Sequence, residues 1–436
     1  MVIVRDRGEL VVDDGVSRPL AVVAAALAAD FAVVSEASHA VRRTWLDTFD
    51  WRLFRAGLTL EHVGDTERGE LRLATVAGEP VARSATAGAA WPGRLNGALN
   101  GALGSELGGQ LVPLVGVRAL LPMAETTGSI RALRLLNADD KTVVRAVVEQ
   151  RTLPAHGRLA SRVSVVPVRG YDREARLARR RLLAAAGIAA NIGSPLDEAL
   201  AALGRRAGDY SGIVEVTLSA TAPASTAMAS VLLHVLDVLE ANVDGVVRDL
   251  DTEFLHDLRI AVRRTRSGLA LAGDALPAGL AERFAGEFKW LGRLSTPVRD
   301  LDACLESLDD ADPDDLEAVQ PLRRYLEQRR LAAWPDLVAG LQSRRFAELV
   351  SSWRAALLDV PPHGIDGERS VALLATARIT RGYNRILKPG RAITPSSPAE
   401  DLHELRKRGK ELRYLLEYFA SLHPPAPHRA MIKELK

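Results

Sequence analysis

The sequence predicts an α+β multidomain protein, with an N-terminal antiparallel, β-barrel-like domain over residues 1–218, a linker at 219–226 and an all-α helical bundle over 227–436. Three observations predict it. Short apolar or alternating runs, separated by Gly-rich and polar segments, fill the first half, as a meandering sheet or barrel requires. Beyond residue 226 apolar residues recur at spacings of three and four, the period of amphipathic helices. Between the two textures lies Ser219-Ala-Thr-Ala-Pro-Ala-Ser-Thr226, small, polar and interrupted by a proline, which is linker composition.

In chain order, the run from Leu20 to Val34 is apolar but short and broken by Asp30, so it predicts a buried amphipathic element. A spanning helix needs roughly 20 uninterrupted apolar residues. Residues 43–62, 69–77, 110–121, 130–138 and 142–152 are strand candidates, set apart by segments such as Asn96–Gly109 and Asn137-Ala-Asp-Asp140. Residues 172–207 have helical spacing, and 213–218 form a last strand-like run. After the linker, helices are expected at 227–247, 251–274, 278–295, 299–308, 314–331, 335–358, 368–388, 398–421 and 425–436. Pro277, Pro297, Pro313, Pro361-Pro362, Pro389-Gly390 and Pro424-Pro425 are the breakers between them. Helices joined by such short loops pack as antiparallel neighbours. The final HRAMIKELK reads as a helix without a cap, so the helical domain is expected to be C-terminally incomplete.

Bulk composition narrows the function. The net charge is +2, so overall charge steers nothing and any electrostatic role rests on how charges are placed. One cysteine, Cys304, excludes an internal disulfide framework and a zinc–thiolate cluster, and fits a reducing cytoplasm. MVIVRDRGEL mixes both charge signs and is a poor secretion signal.

A repeat in the helical half carries the functional argument. LHDLRIAVRRTR (Leu255–Arg266) and LHELRKRGKELR (Leu402–Arg413) share Leu, His, Leu, Arg and a final Arg, with Arg263 matched by Lys410. His256, Arg259, Arg263 and Arg266 stand at i, i+3, i+7 and i+10, within roughly 80° of one helix face; His403, Arg406, Lys410 and Arg413 repeat the pattern. An apolar stripe runs beside each: Leu255, Leu258, Val262 and Leu269 in the first, Leu402, Leu405 and Leu416 in the second. Arg378, Arg381, Arg385 and Lys388 form a third stripe, with Lys289, Arg293 and Arg344-Arg345 as further clusters. Like charges so spaced repel by a few tenths of a kcal/mol per pair. One explanation is pairing with acids on neighbouring helices, such as Asp300, Asp302 and the run Asp309–Asp315. The other is a convergent cationic groove for a chain of phosphates, to which arginine offers a fork of donors. Histidine adds a donor whose charge rises when an anion arrives. Groove aromatics are sparse (Tyr325, Tyr383, Tyr414), which disfavours single-stranded nucleic acid.

At these residues the chain resembles the CHAD family of histidine-bearing α-helical domains. HDLRIAVRRTRS is similar to that family's first motif, LHELRKRGKELRYLLEYF to its second, and KWLGRLSTPVRDLD to the segment between, over roughly 226–436. The resemblance implies two antiparallel helical bundles around a basic channel that binds inorganic polyphosphate, with no cofactor. It also implies helices beyond the last one here and association with polyphosphate granules. The residues it assigns to binding are His256, Arg259, Arg263, Arg264, Arg266, Lys289, Arg293 and Arg299 on one side. On the other are Arg378, Arg381, Arg385, His403, Arg406, Lys407, Lys410 and Arg413. Arg264 and Lys407 lie off the main stripes.

The first half resembles a degenerate CYTH domain, the triphosphate-tunnel barrel. RTWLDTFDWRLFRAGLTLE (Arg43–Glu61) and SIRALRLLNADDKTVVRAVVEQ (Ser129–Gln150) carry the likeness. That family's opening strand of alternating glutamates and a lysine has no counterpart in Met1–Leu10 or residues 31–36. Glu61 and His62 stand where arginines are expected, and Ala160–Val166 lacks alternating acids. A two-metal phosphohydrolase needs several inward carboxylates, so catalysis is not expected; Arg43, Arg52, Arg72 and Arg131 could still touch anions, with surface pairing the favoured role. The rival readings are a tri- or polyphosphate hydrolase acting through the barrel and a nucleic-acid binder. Metal binding by the histidines is disfavoured by the arginines on their own faces, and the other histidines (His156, His234, His363, His423, His428) are expected on surfaces and loops.

Overall fold

The computed structural model describes residues 9–64, 68–87, 93–94, 104–190, 193–309, 316–360 and 367–435. The chain divides into two compact units, Met1–Tyr210 and Ser211–Lys436, a division that falls ahead of the predicted linker.

The first unit holds strands β1 (Leu10–Val12), β2 (Ala32–Asp47), β3 (Leu58–Gly64), β4 (Arg68–Thr75), β5 (Pro80–Ala87), β6 (Gly93–Arg94), β7 (Ala119–Leu136), β8 (Thr142–Leu153), β9 (Gly157–Pro167) and β10 (Ile188–Ala190). They pair antiparallel in the order β10-β1-β9-β8-β7-β2-β3-β4-β5, with the two-residue β6 against β7. The predicted hairpin around Asn137–Asp140 is the β7–β8 turn, closed by a bond from Asn137 N to Lys141 O (3.0 Å). Helices α1 (Pro19–Leu27) and α4 (Asp172–Ala184) cover one end of the sheet, burying Val23, Leu27, Ala178 and Leu182 against Leu133, Leu135, Val144 and Val163. The Leu20–Val34 run is thus the buried helix α1 followed by the start of β2. Helix α2 (Arg52–Arg55) and α3 (Gly104–Val115) cover the other end. Residues 110–115 were expected in a strand. They continue α3 because Leu107, Leu111 and Val115, four apart, form one buried stripe. Helix α5 (Pro195–Ala202) packs beside Trp45 and Trp51.

The second unit is helical: α6 (Ala224–Val247), α7 (Thr252–Ala272), α8 (Leu280–Leu294), α9 (Thr296–Asp309), α10 (Leu316–Leu341), α11 (Arg344–Leu358), α12 (Val371–Ala392), α13 (Ala399–Tyr418) and α14 (Pro425–Glu434). Residues 213–218 form no strand. Their backbone groups turn to other partners, Ile213 O accepting from His234 Nε2 (2.9 Å) and Leu218 N donating to Ser421 Oγ (3.0 Å). The expected break near residue 333 is also absent. Helix α10 runs through Pro321 and Pro335, and the chain interrupts at Gln342-Ser343, where Ser343 caps α11 by accepting from Phe346 N (3.2 Å). A mid-helix proline costs about 3 kcal/mol; burial of Leu337 and Leu341 beside Pro335 offsets it. Helix α12 likewise continues past Pro389.

Two features organise this unit. Leu232, Val235, Leu236 and Leu239 of α6 and Phe254, Leu255, Leu258 and Val262 of α7 are all buried. Gly245 of α6 lies so close to Phe254 that an added Cβ would sit 2.1 Å from the ring. In addition, a short antiparallel bridge ties the starts of α6 and α12: Ala224 N donates to Arg369 O (2.8 Å) and Val371 N to Ala222 O (2.9 Å), with Pro223 opposite Ser370. By length and composition α6 could cross a membrane, yet Met228, Val231, Leu232 and Leu239 are buried inside the bundle.

Candidate functional site

Helix α7 begins where Asp251 caps it, the carboxylate accepting from the N–H groups of Glu253 (3.0 Å) and Phe254 (3.2 Å). From that start the 3.6-residue period buries Leu255, Leu258, Val262 and Leu269 and turns the adjacent stripe outward. His256 and Arg259 are half-buried on it, while Arg263 and Arg266 are exposed. Arg259 Nη1 donates to Gly292 O (3.1 Å), Ser295 Oγ (2.9 Å) and Thr296 Oγ1 (3.0 Å), tying α7 to the α8–α9 junction. This brings Arg299 of α9 beside His256. Burial, then the charges of Arg299 and Arg263, hold the His256 imidazole below its ordinary value, opposed by Asp257 and Glu306. Burial and neighbouring Arg263 and Arg299 depress Arg259 as well, against Asp300.

The second histidine helix, α13, crosses the C-terminal half of α7. Tyr418 Oη donates to Arg264 O (2.5 Å), and Gly268 lets both Leu232 and Tyr418 approach. Arg264 itself is 7% exposed. Its Nε and Nη2 donate to Glu417 Oε2 (3.0 and 2.8 Å) and its Nη1 to Gly212 O (2.6 Å). Arg264 is therefore a packing brace between the histidine helices and does not belong to the cationic face, as its position off the stripe foreshadowed. The crossing brings the stripes together: burial and the guanidinium groups of Arg263, Arg406 and Arg413 hold Lys410 below the ordinary lysine value. His403 and Arg406 extend this face as exposed side chains, and half-buried Arg413 lies 3.5 Å from Glu417. Lys407 points elsewhere, toward Glu404 (3.4 Å). Leu402, expected in the core stripe, is 50% exposed.

The third stripe does not join this face. Arg378, Arg381 and Arg385 of α12 line a separate cavity of about 160 Å³ with Arg408, Glu411, Leu412 and Leu415 of α13. At 100° per residue those α13 positions lie roughly opposite His403, Arg406 and Lys410. Arg378 is also paired with Asp274. Lys289 and Arg293 are exposed on α8. Arg344 and Arg345 face outward in pairs with Glu348 (2.6 Å) and Glu287 (2.8 Å). Two of the acids expected to neutralise the stripes have other partners: Asp302 and Asp309 bind Arg330 and Arg323, both at 2.5 Å. Residues 310–315 lie outside the described residues. Glu306, Oε2 of which is 3.1 Å from Arg299 Nη1, was missed by sequence reasoning. Its signal is legible: it stands seven residues after Arg299, hence on the same face of α9.

The first unit contains a cavity of about 790 Å³ lined by Glu9, Arg43, Trp45, Glu61, Glu70, Arg72, Arg83, Glu106, Glu149 and Arg162, among others. The expected want of inward acids is corrected in part. Five glutamates face the cavity, one each from β3, β4, α3 and β8 and one just before β1, so no single strand shows the alternation. Arg43, expected at the surface, is held between Glu149 (2.6 Å) and Glu61 (2.9 Å), and Arg162 between Glu9 (2.6 Å) and Glu198 (2.6 Å). Among the described residues no three His, Cys, Asp or Glu side chains converge as a metal site. His428, expected at the surface, is buried and bonded to Leu416 O (2.8 Å).

The model of the CHAD domain family matches residues 230–436. Residues 230–436 are a CHAD domain. Among solved structures, the chain is similar to the CHAD domain from the plant Ricinus communis, with 24% identity, a TM-score of 0.44, and 51% of this chain and 77% of that one covered. It is also similar to PptA from Streptomyces chartreusis, with 17% identity, a TM-score of 0.38, and 49% and 81% covered. No curated protein matches the chain. The antiparallel sheet ahead of the CHAD domain is consistent with the CYTH-like expectation.

Proposed function

We propose that the CHAD domain binds inorganic polyphosphate along the face formed by His256, Arg259, Arg263 and Arg299 with Arg406, Lys410 and Arg413, without hydrolysing it. The observation that carries this reading is the crossing of α7 and α13, fixed by the hydrogen bond from Tyr418 Oη to Arg264 O, which brings the cationic stripes of the two helices together. Keeping unlike helices together with their cations facing each other is unfavourable unless an anion fills the space between them, and a flexible chain of phosphates can follow a face that spans two helices. Nucleic acid fits less well, because Tyr414, the tyrosine next to the stripe, is buried and offers no stacking surface.

The test is the triple variant His403→Ala, Arg406→Ala, Lys410→Ala. Polyphosphate affinity should fall at least tenfold while far-ultraviolet circular dichroism stays unchanged; undiminished affinity refutes the site. Competition among polyphosphate, DNA and nucleoside triphosphates at matched salt separates the nucleic-acid reading. The hydrolase reading rests on the cavity of the first unit, and phosphate release from tripolyphosphate by the intact chain would establish it. Against that reading, Arg43 and Arg162 are already engaged by four carboxylates.

A further inference from the structure

Within the cationic face one carboxylate is misplaced for an anion site. Glu306 lies on the same face of α9 as Arg299, its Oε2 3.1 Å from Arg299 Nη1, with side-chain exposures of 29% and 16%. Its other oxygen, Oε1, is buried and has no hydrogen-bond partner among the described residues. Among the described residues this pair binds through one oxygen only, beside His256, so the carboxylate is held by a single bond. Asp257 and Asp300, the other acids near these cations, stand about 100° off the stripe positions they follow.

We infer that Glu306 is an internal competitor for the anion site. Its carboxylate occupies Arg299 while the face is empty and must be displaced when a phosphate chain binds. The inference rests on the polyphosphate reading above and adds a specificity-determining residue to it. A carboxylate and a phosphate oxygen accept the same charge-assisted bond from a guanidinium, so the two cannot share Nη1 without mutual repulsion. A weakly charged anion with few contacts cannot offset that displacement, whereas a polyphosphate chain can, through Arg263, Arg406 and Lys410. Glu306 thereby tilts the face toward long, highly charged ligands. Because Arg299 is neutralised in advance, it also contributes no counterion release on binding.

Two readouts test this on the full chain, using tripolyphosphate and a long-chain polyphosphate as probes. Glu306→Gln should tighten tripolyphosphate binding about tenfold, the scale of one charge-assisted bond. It should also steepen the dependence of log K on log salt by about 0.7, one further phosphate contact. Glu306→Ala should act in the same direction and serves if the glutamine variant misfolds. Glu348→Gln, which makes the same change in net charge on exposed α11, should do neither. If the Glu306 variants bind equally or more weakly, or if Glu348→Gln gains as much, Glu306 is not a competitor. If the unaltered chain binds neither probe, the polyphosphate reading itself fails.

Discussion

Replacing Arg264 with methionine separates a structural arginine from a ligand-binding one in a motif where four arginines crowd eleven residues. The guanidinium is buried, and two of its nitrogens hold Glu417 at 2.8 and 3.0 Å. Removing one partner of a buried pair typically costs 3–5 kcal/mol, because the other charge is left uncompensated. Glu417 would retain Arg413 at 3.5 Å, and this places the expected loss at the lower end, about 3 kcal/mol. For a unit of this size each kcal/mol shifts the melting midpoint by about 2–4 °C, so a fall of about 6–12 °C is expected for the helical unit. Circular dichroism at 222 nm follows it directly. The double variant Arg264→Met, Glu417→Met should recover part of the loss, since no charge then remains buried. Below the transition, polyphosphate affinity should stay within a factor of about three, half a unit of log K. A shift under about 2 °C refutes the brace, and a large loss of affinity in the folded variant would return Arg264 to the binding face.

Other consequences can be measured independently. Among the described residues Arg259, Arg263, Arg406 and Lys410 carry no carboxylate in an ion pair, so polyphosphate binding should weaken with salt at a slope of about −3, at ~0.7 per contact; a slope shallower than −1 would rule out so many contacts. His256 is held below its ordinary value mainly by burial and Arg299, while a bound anion favours its charged form. Affinity should therefore rise as pH falls through 6.5 and below. In the unliganded domain the sign reverses: the unfolded chain takes up the proton first, so stability declines over that range. His256→Gln should flatten both profiles, and persistence of both would clear His256 of the effect. Gly245→Ala should destabilise, although alanine in a helix interior normally gains about 1 kcal/mol over glycine. The added Cβ would meet the Phe254 ring at 2.1 Å, and overpacking of this kind costs about 1–3 kcal/mol. Urea denaturation showing a more stable variant would contradict the packing described.

Periodicity made the histidine helices legible because one stripe is buried and its neighbour is not. The same wheel sets Arg264 apart from Arg263, though only the structure supplies Glu417 as its partner. Arg378, Arg381 and Arg385 mark the limit of this reasoning: their spacing matches the histidine stripes, but spacing says nothing about the neighbour a helix turns toward. Here it is the Arg408 side of α13. In the first half, strand–turn alternation found the β7–β8 hairpin. It missed the carboxylates of the cavity, because Glu61, Glu106 and Glu149 come from separate elements that only the folded sheet brings together. Residues 213–218 alternate like a strand but have no strand to pair with.

The bridge between Pro223 and Ser370 bears on how such a domain can change over time. It holds the first turns of α6 and α12 together, although Ser225 and Gly367 are 142 positions apart in the chain. Everything between is a loop with its ends fastened. The entropy of closing a loop rises only logarithmically with length, about 0.6 kcal/mol for each doubling. Extra turns or whole helices can therefore be added between α9 and α11 at little thermodynamic cost. The helix that leads into His256 and the one that leads into His403 keep a common origin throughout. The cationic face is anchored at its roots, and only the chain beyond Arg299 and Glu306, between α9 and α11, is free to drift in length.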